Sequence, residues 1–492
     1  MRPEASRHLL AAAVLSTLGA ITACSDPASP GDGSAIGDGA ATDSGGDGGH
    51  ADGGATGTPT WYQDIQPMMA EHCWTCHNAS NDDAAFDFSD PAMAVELADW
   101  LNAKINGPDD EPPYQMPPFP LGDDEECDLG LPITGDLRMS AEDKALFQEW
   151  VDAGTPLGDA DAAAPYDIPP PREMWGDRIE DLSPMSMTTR DGQKGDAYNC
   201  WSWDLGITDP EGAWLTGLRV NPDNLNIVHH AVIMADYSGR TAPAGGGDGK
   251  CPQPDDEVPD ATMLATWAPG ADPIILPTDA GMHFPPGTRL VSATHYHPNG
   301  TGQHDATNIT LAWRDTPPAY EVVTLPLGAA DPGENDVPNW EERPFHLAAG
   351  DDDYVNTWRD PHQHPDDKEF RIWGLFPHMH YAATSMRVTL EHEDGTATCI
   401  ADVPVWEFDW QRTYEFDVPY DELPILQDGD TFAIRCGYNN SASNPLLAEK
   451  MEENGLEFQD ISIGNGYLDE MCVLHAIIMQ EYDGRFEREA AE

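Results

Sequence analysis

Positive charge is scarce in this chain. Its 492 residues carry 24 Lys and Arg against 88 Asp and Glu, a formal net charge of −64. Such a surface has nothing with which to neutralise a phosphate backbone, which excludes a nucleic-acid partner. It also disfavours electrostatic adhesion to anionic lipid. The carboxylates read as a solvated, self-repelling surface that attracts cations and basic partners.

Long apolar runs are nearly missing too. The one run, "LLAAAVLSTLGAITAC", follows Arg2 and Arg7 and is too short to remain as a membrane span. It ends in Ile21-Thr22-Ala23-Cys24, which looks like a bacterial lipoprotein cleavage box. Residues 1–24 are therefore expected to be a lipoprotein-type signal peptide, with Cys24 as the lipidated first residue. An ordinary secretory signal is the alternative. Either way the mature protein is exported. Ser25 resembles the sorting residue of lipoproteins sent to the outer membrane of a Gram-negative bacterium, on its periplasmic or cell-surface side. Residues 25–59 are Gly, Asp, Ala, Ser and Thr with little apolar bulk, and read as a disordered tether.

The next stretch, residues 60–157, carries Cys73-Trp74-Thr75-Cys76-His77. C-x-x-C-H is a haem-attachment motif: two thiols on one turn reach both vinyl groups, and the adjacent His lies under the iron. A redox or zinc C-x-x-C is the alternative, but no second Cys/His pair follows at zinc spacing. The sixth iron ligand is expected to be Met116 in "PPYQMPPFP", with Met139 as runner-up. Ser140 is an N-cap, and Ala145, Leu146, Trp150 and Val151 form a stripe that Gly154 and Pro156 end. The stretch resembles a class I-type cytochrome c domain, which implies a small all-α fold, one covalent haem c and an electron-transfer task.

Long helical periodicity is what residues 170–487 lack. Short alternating runs with Gly, Pro, Asn and Asp between them predict antiparallel β-sandwiches, jelly-roll-like, at 170–320 and 321–487. Random order gives about 0.6 His-x-His pairs for this composition. Three are present, at His295/His297, His362/His364 and His378/His380, beside the adjacent pair His229/His230. Residues i and i+2 share a strand face, so His378 and His380 can grip one ion while Met379 faces the core. His229 and His230 point apart unless a bulge intervenes.

Five ordered stretches, "YNC" at 198–200, "VHHAVIM" at 228–234, "THY" at 294–296, "HMHY" at 378–381 and "DEMC" at 469–472, resemble the copper type II, ascorbate-dependent monooxygenases. The resemblance covers roughly residues 190–485. It implies two copper ions. His229, His230 and His295 would hold the electron-transfer copper, with His297 able to replace His295. His378, His380 and Met471 would hold the copper that meets O₂, although Met471 could instead be a packed core residue. A thioether favours Cu(I), which suits that division. The family pattern also implies disulfides Cys200–Cys251 and Cys436–Cys472, in an oxidising compartment. It leaves Cys127 and Cys399 without an assigned partner.

The chain departs from amidating relatives. Phe376 stands where they carry an Arg for the peptide carboxylate, and Val473 and His475 replace their Asn and Tyr. A glycine-extended peptide is therefore not the expected substrate. The whole reads as an exported dicopper monooxygenase acting on a small-molecule or peptide-like C–H bond. Its electrons would come from ascorbate or a redox protein through the haem. The alternative is a copper/haem electron-transfer lipoprotein that does not hydroxylate. His283, His362, His364 and His475 read as surface or supporting residues.

Overall fold

The computed structural model describes residues 57–74, 76–77, 86–107, 116–117, 121–122, 127, 129–166, 172–193, 197–241, 261–268, 271, 273–329, 345–363, 368–464 and 468–484. The expected signal peptide with Cys24, the tether up to residue 56, Cys251 and His364 lie outside them.

Helices occupy the first part. A π-helical turn, Trp61–Ile65, runs into the helix Gln66–His72. Two short helices, Pro91–Glu96 and Ala98–Ile105, follow. Ser140 caps the longest, Ala141–Asp152, by accepting from the Asp143 N–H. Gly154, at φ 82°, lets the chain leave it. Trp61, Ile65, Met69, Trp74, Phe147 and Trp150 fill a small core among these helices.

Strands dominate the rest. The largest sheet has ten. Its main path runs Arg178–Asp181, Asn308–Arg314, Ala213–Asn221, Ala280–Phe284, Tyr320–Ala329, Cys472–Glu481, Phe370–His378 and Tyr414–Glu415, with Ile274–Ile275 and Ile425–Leu426 pairing beside it. Two four-stranded sheets and a two-stranded ribbon, Met187–Thr188 with His304–Asp305, make up the rest. One four-stranded sheet orders Ala197–Asp204, Arg289–Tyr296, Val228–Asp236 and Ala261–Trp267. The other orders Tyr354–Pro361, Thr431–Tyr438, Ala383–Glu391 and Ala397–Val403.

The expected architecture, an all-α cytochrome c domain ahead of two sandwich domains, is corrected. Among the described residues strand makes up 39% and helix only 16%. From Gly57 onward the chain forms one compact unit. The early helices span at most 12 residues, too short to persist without tertiary packing. The loop before the last of them is stitched to the strands by the Cys127–Cys399 disulfide and by a bridge from Ile133 to Phe416. The break expected near residue 320 is a junction inside one sheet. Tyr320 and Glu321 pair in parallel with Ala280 and Gly281, while the whole strand pairs antiparallel with Cys472–Glu481. A single apolar cluster runs through both halves.

Gly328 marks a tight place at this junction. Its φ is 93°, and a Cβ there would collide with the Cys472 carbonyl. Gly328→Ala is expected to cost about 1–3 kcal/mol from backbone strain alone, more with the clash. The check is the denaturant midpoint, which should fall with an unchanged m-value.

Candidate metal centre

His229 and His230 lie on the strand Val228–Asp236, which pairs with Arg289–Tyr296. The register shifts between Val228 and His230, leaving His229 as the extra residue of a bulge. This is the distortion that adjacent histidines need to face one point. His230 sits directly opposite His295.

The three imidazoles converge. His229 Nδ1 is 3.1 Å from His230 Nδ1, and His295 Nδ1 is 3.4 Å from it. Imidazole nitrogens bound at about 2.0–2.1 Å with tetrahedral angles stand about 3.3 Å apart. One N–H···N bond joins a pair of rings, whereas a cation satisfies all three nitrogens. The ring of Tyr198 lies flat on His295, at 4.4 Å and 3°. His297, the alternative to His295, stays outside this group, its ring centroid 6.2 Å from that of His229. Burial, then the neighbouring His295, His229, His378 and His380, hold His230 well below the ordinary imidazole range. A neutral ring is the form that binds a metal.

The second set forms where Phe370–His378 ends. His378 is the last residue of that strand and His380 lies just beyond it, so a turn sets the pair as much as strand alternation does. Their rings stand 5.3 Å apart at 84°. Each Nδ1 is engaged, His378 by Gln411 Oε1 at 2.5 Å and His380 by the Asp469 carbonyl at 3.0 Å. These contacts fix the ring tautomers, with Nε2 as the ligating nitrogen of each. Met379 is fully buried, as core. Burial lowers the His378 pKa, and the Gln411 contact raises it in part.

Glu470 was not legible as a site residue, yet it binds this set together. Its buried carboxylate accepts the N–H groups of His380 (3.1 Å), Ala382 (2.7 Å), Ala383 (3.2 Å) and Met471 (3.2 Å). Burial raises the carboxyl to about 8 in spite of the four donors, whereas the donor geometry argues for the charged form. Four donors occupy all four lone-pair positions, the pattern of an ionised carboxylate. Met471 is also held by Tyr438, whose hydroxyl donates to the Met471 carbonyl, and by the neighbouring Cys436–Cys472 disulfide that the resemblance implied.

Phe376 and His475 sit opposite each other in the sheet register, their rings 5.8 Å apart. Phe376 is 6.2 Å from His378. His475 is buried rather than superficial, and its Nδ1 has no hydrogen-bond partner among the described residues. Burial, then His378, lower its pKa to about 3. The wall beside His378 is thus apolar with one neutral imidazole. Phe408 lies between the two sets, 5.5 Å from the His230 ring and 6.3 Å from that of His380. A cleft of about 360 Å³ opens beside His229, with His297, Tyr381, Leu446 and Lys450 in its walls.

At the C-x-x-C-H segment, the N–H groups of Cys76 and His77 both bond to the Cys73 carbonyl, so the two thiols share one tight turn. Neither thiol is in a disulfide. Burial, with Cys76 adding to it, pushes the Cys73 thiol up to about 12. His77 Nδ1 lies 3.1 Å from the Phe86 carbonyl, which fixes the tautomer with Nε2 unprotonated. Met116 is half-buried and donates its N–H to the Lys104 carbonyl, whereas Met139 is buried in the helical core. Cys200 is disulfide-bonded. His283 lies against Trp214 with Nε2 at the Glu211 carbonyl, and His362 stands by Phe370.

No family model and no curated protein matches this chain. Among solved structures, that of Sulfolobus turreted icosahedral virus shares 10% identity over 61% of this chain and 59% of its own, with a TM-score of 0.16. The VP2 subviral particle of infectious bursal disease virus shares 9% over 65% and 75%, with a TM-score of 0.19. The chain thus spans about three-fifths of the first of these. Overlaps this loose say nothing about what the site does.

Replacing Glu470 by Gln turns one acceptor oxygen into a donor that faces N–H groups. Each hydrogen bond lost to the charge is worth about 1.5–3 kcal/mol. Glu470→Gln should therefore lower Tm and weaken metal uptake at His378/His380 while sparing the three-histidine set. Metal titrations of the variant, read at each set separately, check this.

Proposed function

We propose that the chain is an exported two-copper monooxygenase that hydroxylates a substrate C–H bond with O₂, and that it carries its own haem. The observation that carries this reading is the convergence of three imidazole nitrogens at His229, His230 and His295 beside a second histidine pair. That is a donor set suited to copper. Copper would supply oxygen activation, and haem one-electron supply.

The protein's own part is positional. The His229 bulge brings three rings to one point. Gln411 and the Asp469 carbonyl hold the His378 and His380 tautomers, and Glu470 ties Met471 to the same turn. At Cys73, Cys76 and His77 the chain offers two thiols and one imidazole nitrogen on a tight turn, and Met116 would be a further iron ligand. Phe376 and the neutral His475 suit a substrate without a carboxylate at that end. O₂ and an external donor, ascorbate or a redox protein, complete the partners.

The compartment follows from residues 1–24, and the disulfides at Cys127–Cys399 and Cys436–Cys472 agree with it. Among the described residues no helix is long and apolar enough to cross a membrane. Attachment to the outer membrane would rest on the lipid at Cys24.

Metal analysis of the exported protein is expected to give one haem and two copper per chain; zinc, or a single metal, would sink the proposal. Met471→Ile should drop copper to about one per chain while the Cu(II) EPR signal of the three-histidine set remains. Oxygen-dependent hydroxylation should disappear with it. A variant that keeps full hydroxylation removes Met471 from the site.

A further inference from the structure

The loop from Asp402 to Asp417 touches both histidine sets. Phe408 packs between His230 and His380, and Gln411 holds His378. The opposite side of the same loop is bonded to residues 121–138. The Gly122 N–H donates to the Asp402 carbonyl (2.7 Å), Thr134 to Glu415 (2.8 Å), and Asp417 to Pro132 (2.8 Å). Arg412 reaches the Gly135 carbonyl. Three residues on from Thr134, the Leu137 carbonyl lies 3.2 Å from Nδ1 of His72, the neighbour of Cys73.

We infer that this loop is the fixed contact through which electrons pass from the Cys73–His77 segment to the histidine sets, and that Cys127–Cys399 locks it. The inference rests on the haem and copper reading above. The route from His72 to Gln411 is covalent apart from two hydrogen bonds, at Leu137 and at Thr134–Glu415. The disulfide joins residues 272 apart in sequence. A cross-link over so long a loop removes much freedom from the open state, which suits a permanent contact rather than a passing encounter. Each transfer moves one electron. With both groups bound, haem iron would go from Fe(II) to Fe(III) and copper from Cu(II) to Cu(I), and no bond would form or break. A one-electron reductant such as ascorbate restores the haem.

Two measurements on the full chain test this. In copper-free protein, hydrogen exchange at the amides of Gly122, Thr134 and Asp417 should be slow, and should quicken in the Cys127→Ser/Cys399→Ser double variant. In protein loaded with haem and Cu(II), flash reduction of the haem should be followed by reoxidation at a rate independent of protein concentration. That rate should fall about tenfold or more in the double variant, because the contact is no longer held at high effective concentration. It should also fall in Phe408→Leu. Fast exchange in the unmodified protein overturns the contact. Slow exchange with equal reoxidation rates in all three proteins overturns the electron route and leaves only a brace. A chain that takes up neither haem nor copper overturns the functional reading, and the electron route with it, while the exchange result stands by itself.

Discussion

One buried carboxylate sets the geometry of the second histidine pair. Among the described residues Glu470 has no cation against it; it is satisfied by four backbone N–H groups, three from the turn after His378 and one from Met471. Burying a charge is costly unless every lone pair finds a donor. Here the donors come from two segments about 90 residues apart, so the carboxylate is stable only where both segments meet. That makes it a register device. The turn bearing His380 cannot drift from Met471, which leads into the strand Cys472–Glu481, without stranding the charge. The Tyr438 hydroxyl and the Cys436–Cys472 bridge hold the same strand from its other side.

The three-histidine set is built by other means. A bulge supplies what two adjacent strand residues cannot have in regular pleating, a common direction. His295 then needs only to stand opposite His230, and Tyr198 covers it as a flat lid. The shape of this set rests on the bulge, the register with His295 and the cover of Tyr198 rather than on Glu470. What joins the two sets is Phe408, an apolar ring between imidazoles, which excludes water from the gap without adding charge.

Much of this was readable beforehand, and the reasons differ by residue. The need for a bulge at His229/His230 followed from strand period alone. Met379 as core, and His378 with His380 as a pair, followed from the same period, although the strand ends between them and a turn finishes the work. The helix from Ala141 announced itself through Ser140 and Gly154. Glu470, Gln411 and Phe408 did not. Each acts through a partner tens of residues or more away, and a lone Glu, Gln or Phe leaves no periodic trace. Cys127 and Cys399 were visible as cysteines, but their pairing depends on how the 121–138 loop folds over the strands. The all-α domain failed for a related reason. Local helix signals were right, yet they say nothing about whether short helices stand alone or lean on a sheet.

The junction of the two halves bears on how such a molecule can move. Two separate sandwiches could hinge, and the distance between metal sets would then vary with the hinge. In this chain Tyr320–Ala329 pairs with strands of both halves. Arg172 adds a second tie. It bonds to the Pro273 and Ile275 carbonyls on one side and to the buried Glu415 carboxylate, at 3.0 Å, on the other. Opening a hinge would break the parallel pairs at Tyr320 and Glu321 and the Arg172–Glu415 ion pair together. Rigid-body opening is therefore the expensive motion. The spacing of the two sets is therefore held by the shared sheet rather than by a movable joint.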